Sequence, residues 1–138
     1  MTKIYRNTDR ITLKVDDLFV KVAPLTLSQK AHVQQVSLDA VRKQDLKLTQ
    51  DSIVLVLKYA IKGITGLYNS DETPYMLEFD NGVLTDQCAE DLLNLELKDK
   101  LTMVCMGLLS GVPSEFTDNQ NKALAGVQII KVESEKKS

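Results

Sequence analysis

ITLKVDDLFVKV, residues 11 to 22, decides how the chain begins to fold. Ile11, Leu13 and Val15 alternate with Thr12 and Lys14. After Asp16-Asp17 the alternation resumes, with Leu18, Val20 and Val22 against Phe19 and Lys21. A period of two marks a half-buried strand, because successive side chains point to opposite faces. Two such runs joined by two acidic turn formers predict a β-hairpin. With no glycine in the turn, its type stays open. Pro24 ends the second strand, since it has no N–H to give a ladder.

Beyond Pro24, helical signals dominate. Thr26-Leu27-Ser28-Gln29 fits a capping box, Thr26 at the N-cap and Gln29 reaching back from three residues on. That helix is expected to run to about Asp45. Its apolar positions, Val33, Val36, Ala40 and Val41, make a narrow stripe, so one side packs and the rest is wet. Thr49 or Asp51 can cap a second helix, in which Ile53 to Ile64 leave little polar face and Gly66 is the stop. This predicts a central buried helix. Tyr68 to Pro74 has loop composition. Tyr75 to Phe79 reads either as a short strand, closed by the turn Asp80-Asn81-Gly82, or as one helical turn.

Thr85 caps a third helix, with Asp86 at the positive end of its dipole and Cys88, Ala89, Leu92, Leu93 and Leu95 inward. Leu97, Leu101, Val104, Cys105, Leu108 and Leu109 have clean helical spacing, stopped by Gly111 and Pro113. Ser114 to Lys122 is polar, Val127 to Val132 makes one short β-like run, and Glu133 to Ser138 is expected to be disordered. The expected fold is mainly α with a small β component, an N-terminal β-hairpin followed by a bundle of four or so helices. It forms a single domain, with residues 1–113 as hairpin plus helical body and 114–138 as a polar, partly flexible C-terminal segment.

The 138 residues suit one domain, and 43% hydrophobic with 26% charged residues is ordinary globular composition. A net charge of −2 leaves no electrostatic footprint for nucleic acid or an anionic membrane. No apolar stretch approaches the roughly 20 residues that cross a bilayer. Met1 to Arg10 is polar and lacks the apolar middle of a signal peptide. Cys88 and Cys105, each among apolar residues at helical spacing, are therefore expected to be reduced, buried thiols in the cytosol.

Reactive chemistry is scarce. The single His, His32, shares a helix face with Ser28 and Asp39, but seven residues at 1.5 Å rise put Asp39 roughly 10 Å from it along the axis, beyond hydrogen-bond reach. Gly63-Ile64-Thr65-Gly66 has the spacing of a backbone-clamping GxxG loop without the basic neighbours such loops need. No P-loop is present, and Phe79 stands where a calcium loop needs an Asp or Asn. Two Cys without a CxxC pair make no zinc site. Glu90, Asp91, Glu96 and Asp99 read as a solvated helix face, with an acidic patch for a basic partner as the alternative. These residues predict no enzyme, no metal and no cofactor. Candidate partner-binding residues are Phe116, Leu124, Val127, Ile129 and Ile130. They would either pack on the body or form an interaction segment that orders on binding or adds a strand to another copy.

Three stretches carry a family likeness: the hairpin Ile11 to Val22 running into Pro24-Leu25-Thr26, then Gly82-Val83-Leu84-Thr85-Asp86-Gln87-Cys88, then LLSGVPSEF, Leu108 to Phe116. In this order they resemble the tail assembly chaperones of long-tailed siphophages, over most of the chain. The resemblance implies a largely helical, self-associating protein of the host cytoplasm. Such a protein binds the tape-measure protein, keeps it soluble, recruits tail-tube subunits and leaves before the virion matures. It also implies a longer frameshifted form, and Lys136-Lys137 can be encoded by slippery A-rich codons. The alternative is a permanent structural component of a tail or head–tail connector. The family defines no functional residues by motif, so none is carried over.

Overall fold

The computed structural model describes residues 4–110 and 127–134. The hairpin forms as its alternation predicts, with strands β1 (Asp9–Val15) and β2 (Leu18–Val22) antiparallel. Asp16 takes φ 54° in the two-residue connection, a conformation Asp tolerates better than most residues. Ile11, Leu13, Val15, Leu18, Val20 and Val22 are all buried, while Lys14, Phe19 and Lys21 on the other face are exposed. Thr12 breaks the pattern: it is buried, and its Oγ1 has no hydrogen-bond partner.

Helix α1 (Leu27–Lys43) starts at the expected capping box, with both reciprocal bonds between Thr26 and Gln29 present. Gln44 at φ 49° ends it. Asp45 does not extend α1. Its carboxylate accepts from the Lys47 and Leu48 amides and caps α2 (Leu46–Ala60), so neither Thr49 nor Asp51 is the cap. Without a glycine to mark the corner, the end of one helix and the start of the next merge in the sequence.

α2 ends earlier than its apolar run predicts. It stops at Ala60, and Ile61–Thr65 is strand β3, paired antiparallel with β2. An apolar run reads as buried helix or buried strand equally well, and the open edge of β2 decides between them. Lys62 is the extra residue of a bulge between the Val22–Ile61 and Lys21–Gly63 pairs, and its Nζ donates to the Gly82 carbonyl at 3.0 Å. Gly66 therefore follows a strand, not a helix.

Phe79–Asp80 (β4) and Val83–Leu84 (β5) form a minimal hairpin across Asn81 and Gly82, both at positive φ, as a type I′ turn requires. Ahead of it, Tyr75 and Leu77 pack on the core and Met76 points outward. Thr85 caps α3 (Asp86–Leu93), and α4 (Lys98–Ser110) follows. Strand β6 (Val127–Ser134) reaches past Val132 and pairs with β1, giving a four-stranded sheet in the order β3-β2-β1-β6. Among the described residues the molecule is thus four helices with a small antiparallel sheet, a more even α and β mixture than a mainly helical fold.

One core joins the layers. The inner face of β1 and β2 meets Val33 of α1, Val56, Leu57 and Ala60 of α2, Cys88, Ala89 and Leu92 of α3, and Leu101, Val104 and Cys105 of α4. Each large side chain buried there stabilises by about 1.5–3 kcal/mol. Lys58–Asp86 (2.8 Å) and Lys100–Asp16 (2.7 Å) tie the helix ends to their neighbours.

A Cβ at Gly66, φ 93°, would meet the Asp17 carbonyl oxygen at 3.0 Å; Gly82, φ 79°, has open space around it; Gly63 offers Lys21 only ordinary contact. Gly66→Ala should therefore cost about 1–3 kcal/mol, Gly82→Ala less, and Gly63→Ala should stay within about 1 kcal/mol. Urea denaturation measures all three, and equal losses would contradict this account of Gly66.

Candidate functional site

α1 carries two apolar faces, of which the inner stripe alone is evident from sequence. Val33 and Ala40 are buried against the body. Val41, expected inward, is 76% exposed. It belongs to a second row, Leu27, Ala31, Gln34, Leu38 and Val41, all exposed and spaced 4-3-4-3. Leu27 is 84% and Leu38 51% exposed, and Leu46, at the start of α2, is 82%. A 4-3 alternation is the seam that one helix presents to another in a coiled coil. The signal is present in the sequence, but Ala31 and Gln34 weaken it beside the inner stripe. Arg42 and Lys43 close α1 and Lys47 opens α2; all three are exposed.

His32, Asp39, Tyr75 and Asp91 make hydrogen bonds within and between elements. His32 does not meet Ser28 or Asp39: its Nδ1 lies 2.7 Å from the Tyr59 hydroxyl, linking α1 to α2, and Asp39 accepts from Gln35. The Tyr75 hydroxyl donates to Asp91 at 2.7 Å, and Gln87 donates to the other carboxylate oxygen at 2.9 Å. Burial raises the Tyr75 hydroxyl well above its usual range, and the neighbouring Cys88 and Asp91 push the same way. The Cys88 sulfur accepts from the Glu78 amide. These hydrogen bonds make a clasp between the Tyr75–Glu78 segment and α3.

The four carboxylates of the predicted acidic face separate. Asp91 belongs to the clasp. Glu90 and Asp99 rim an open groove of about 650 Å³ between α2, α3 and α4, floored by Ile53, Val54 and Leu93. Glu96 and Asp99 line a second cleft of about 570 Å³ with Asp16 and Asp17. Among the described residues, no three His, Cys, Asp or Glu stand close enough to hold a metal ion, and no helix is long and apolar enough to cross a membrane.

Of the predicted partner-binding residues, Phe116 and Leu124 lie outside the described residues. Val127 and Ile129 pair opposite Val15 and Leu13, and Ile130 is the extra residue of a bulge in β6. The β-like run is therefore a member of this chain's own sheet. Compared with protein-family models, curated proteins and solved structures, the chain matches none of them.

Both cysteines are free and buried. Burial pushes the Cys105 thiol from 9.0 up to about 12. A pKa raised by folding gives stability that is complete below the unfolded value and lost as pH climbs toward the folded one. Stability should thus begin to fall above pH 9 through Cys105, and above pH 10 through Tyr75 as well. Cys105→Ala should flatten the segment between 9 and 10 in denaturation curves measured across alkaline pH. An unchanged slope there would exclude Cys105 as its source.

Proposed function

We propose that the protein is a tail assembly chaperone of a long-tailed phage, a non-enzymatic binder that keeps the tape-measure protein soluble and promotes tail-tube assembly. The observation that carries this reading is the exposed 4-3-4-3 row on α1. An aqueous helix face bearing Leu27, Leu38 and Val41 favours covering by apolar surface from a partner, and a long helical guest has such surface to shelter. The guest's own stripe, left in water, would drive aggregation. The order of the hairpin, the Gly82–Cys88 segment and LLSGVPSEF supplies the family likeness. The structural roles of His32, Tyr75 and Asp91 agree with a protein that binds without bond-making chemistry.

Co-expression tests the proposal. A fragment of a cognate tape-measure protein should remain in the supernatant with this protein and precipitate without it. Mass spectrometry of purified virions should find the protein absent or in traces. Equal precipitation in both cultures would end the chaperone reading, and stoichiometric presence in virions would make the protein a permanent tail component.

A further inference from the structure

We infer that Asn81-Gly82 is a site of spontaneous covalent modification, where the Gly82 backbone nitrogen closes on the Asn81 carboxamide and converts Asn81 into aspartate and isoaspartate, the latter unseating the start of α3. The modification is independent of what the protein binds.

The step is an internal acyl transfer whose sole co-reactant is water. The Gly82 nitrogen yields its proton to solvent base and bonds to Asn81 Cγ, and the carboxamide nitrogen leaves as ammonia. Water then opens the resulting succinimide ring at either carbonyl. Opening at Cγ gives aspartate in an unaltered chain. Opening at the main-chain carbonyl gives isoaspartate, in which the backbone runs through the former side chain and is longer by a methylene.

Asparagine is thermolabile in general, but the four asparagines among the described residues are not alike. Asn7 donates through Nδ2 to the Pro24 carbonyl at 2.7 Å, and Asn69 donates through Nδ2 to Thr73 Oγ1 at 3.0 Å, so both carboxamides are tied. At Asn94 the attacking nitrogen would be that of Leu95, which donates to the Leu92 carbonyl at 3.2 Å and carries a large side chain. Asn81 is exposed, and neither its carboxamide nor the Gly82 N–H makes a hydrogen bond among the described residues. Gly82 has no Cβ to obstruct the approach, and nothing lies within 4 Å of where one would stand.

Ring closure must reorient the peptide that joins Asn81 to Gly82. Only two residue pairs, Phe79–Leu84 and Asp80–Val83, hold that turn, and opening so small a hairpin lies at the low-energy end of local unfolding. Lys62 Nζ, 3.0 Å from the Gly82 carbonyl, sets a positive charge beside the attacking nitrogen and favours its deprotonated form.

Isoaspartate is the product the fold cannot absorb. A two-residue type I′ turn has no slack for an added methylene. Val83 and Leu84 follow at once, and Leu84 is fully buried. The Thr85 N–H donates to the Glu78 carbonyl, and its hydroxyl caps α3. Lengthening the chain at Asn81 therefore displaces β5 and the cap that it carries into α3.

Ageing of the full-length protein in warm, mildly alkaline buffer tests the inference. Trypsin cuts after Lys62 and Lys98, leaving Asn69, Asn81 and Asn94 in one peptide whose fragmentation assigns each conversion. Asn81 should convert about tenfold or more faster than Asn69 or Asn94, at a rate that rises with pH, with isoaspartate among the products. Gly82→Ala should slow the conversion by a similar factor. If that variant unfolds, Asn81→Gln, which keeps the glycine and disfavours the ring, should do the same. Unfolding in urea, which releases the Asn69 carboxamide, should speed Asn69 more than Asn81. The isoaspartyl protein, separated by ion exchange, should unfold at lower urea than an Asn81→Asp variant, which has the new charge without the added methylene. Equal conversion of the three asparagines, conversion unaltered by both substitutions, or an isoaspartyl form as stable as Asn81→Asp would each overturn the inference.

Discussion

The inner face of the β1–β2 hairpin cannot stay in water. Ile11, Leu13, Val15, Leu18, Val20 and Val22 stand on one side of two strands, and an isolated hairpin of this kind is marginal at best. It needs a cover, which α2 provides through Val56, Leu57 and Ala60 with help from the other helices. It also needs partners for both ladder edges. β3 takes the edge of β2, and β6 takes that of β1. The bulges at Lys62 and Ile130 absorb the mismatch where these later strands join an alternation already set by the hairpin.

Residues with a strong local signal announce their structure. The hairpin, the Thr26 capping box, the Thr85 cap and the Asn81-Gly82 turn each depend on neighbours within a few positions, so the chain alone specifies them. Where structure depends on distant partners, local pattern misleads. Ile61 to Thr65 continues an apolar run, and only the edge of β2, some forty residues earlier, turns it into a strand. The Tyr75–Glu78 segment alternates in three dimensions, but an outward Met76 hides the period from a count of apolar residues. Nothing local distinguishes Asp45 as the end of one helix from Asp45 as the cap of the next.

The candidate site is less legible than the fold, for a related reason. The C-terminal segment stands out in the sequence because its apolar residues have polar surroundings. On α1, Leu27, Leu38 and Val41 are diluted by Ala31 and Gln34, so the outer row looks like ordinary solvated helix until exposure separates it from Val33 and Ala40. The inner face of α1 helps hold the molecule together, while the outer row stands in water. A polar substitution in the outer row removes no buried contact and should leave folding intact.

The pairing of Asp9 with Ser134 has a consequence for vectorial synthesis. As the nascent chain leaves the ribosome, β1, β2 and the helices emerge long before β6, so a growing polypeptide carries β1 with one row of amides and carbonyls unanswered. Emergence of β6 gives that row its partner. β1, central in the sheet, is therefore enclosed late, and the translation time between β1 and β6 sets how long its edge stays open to neighbouring chains.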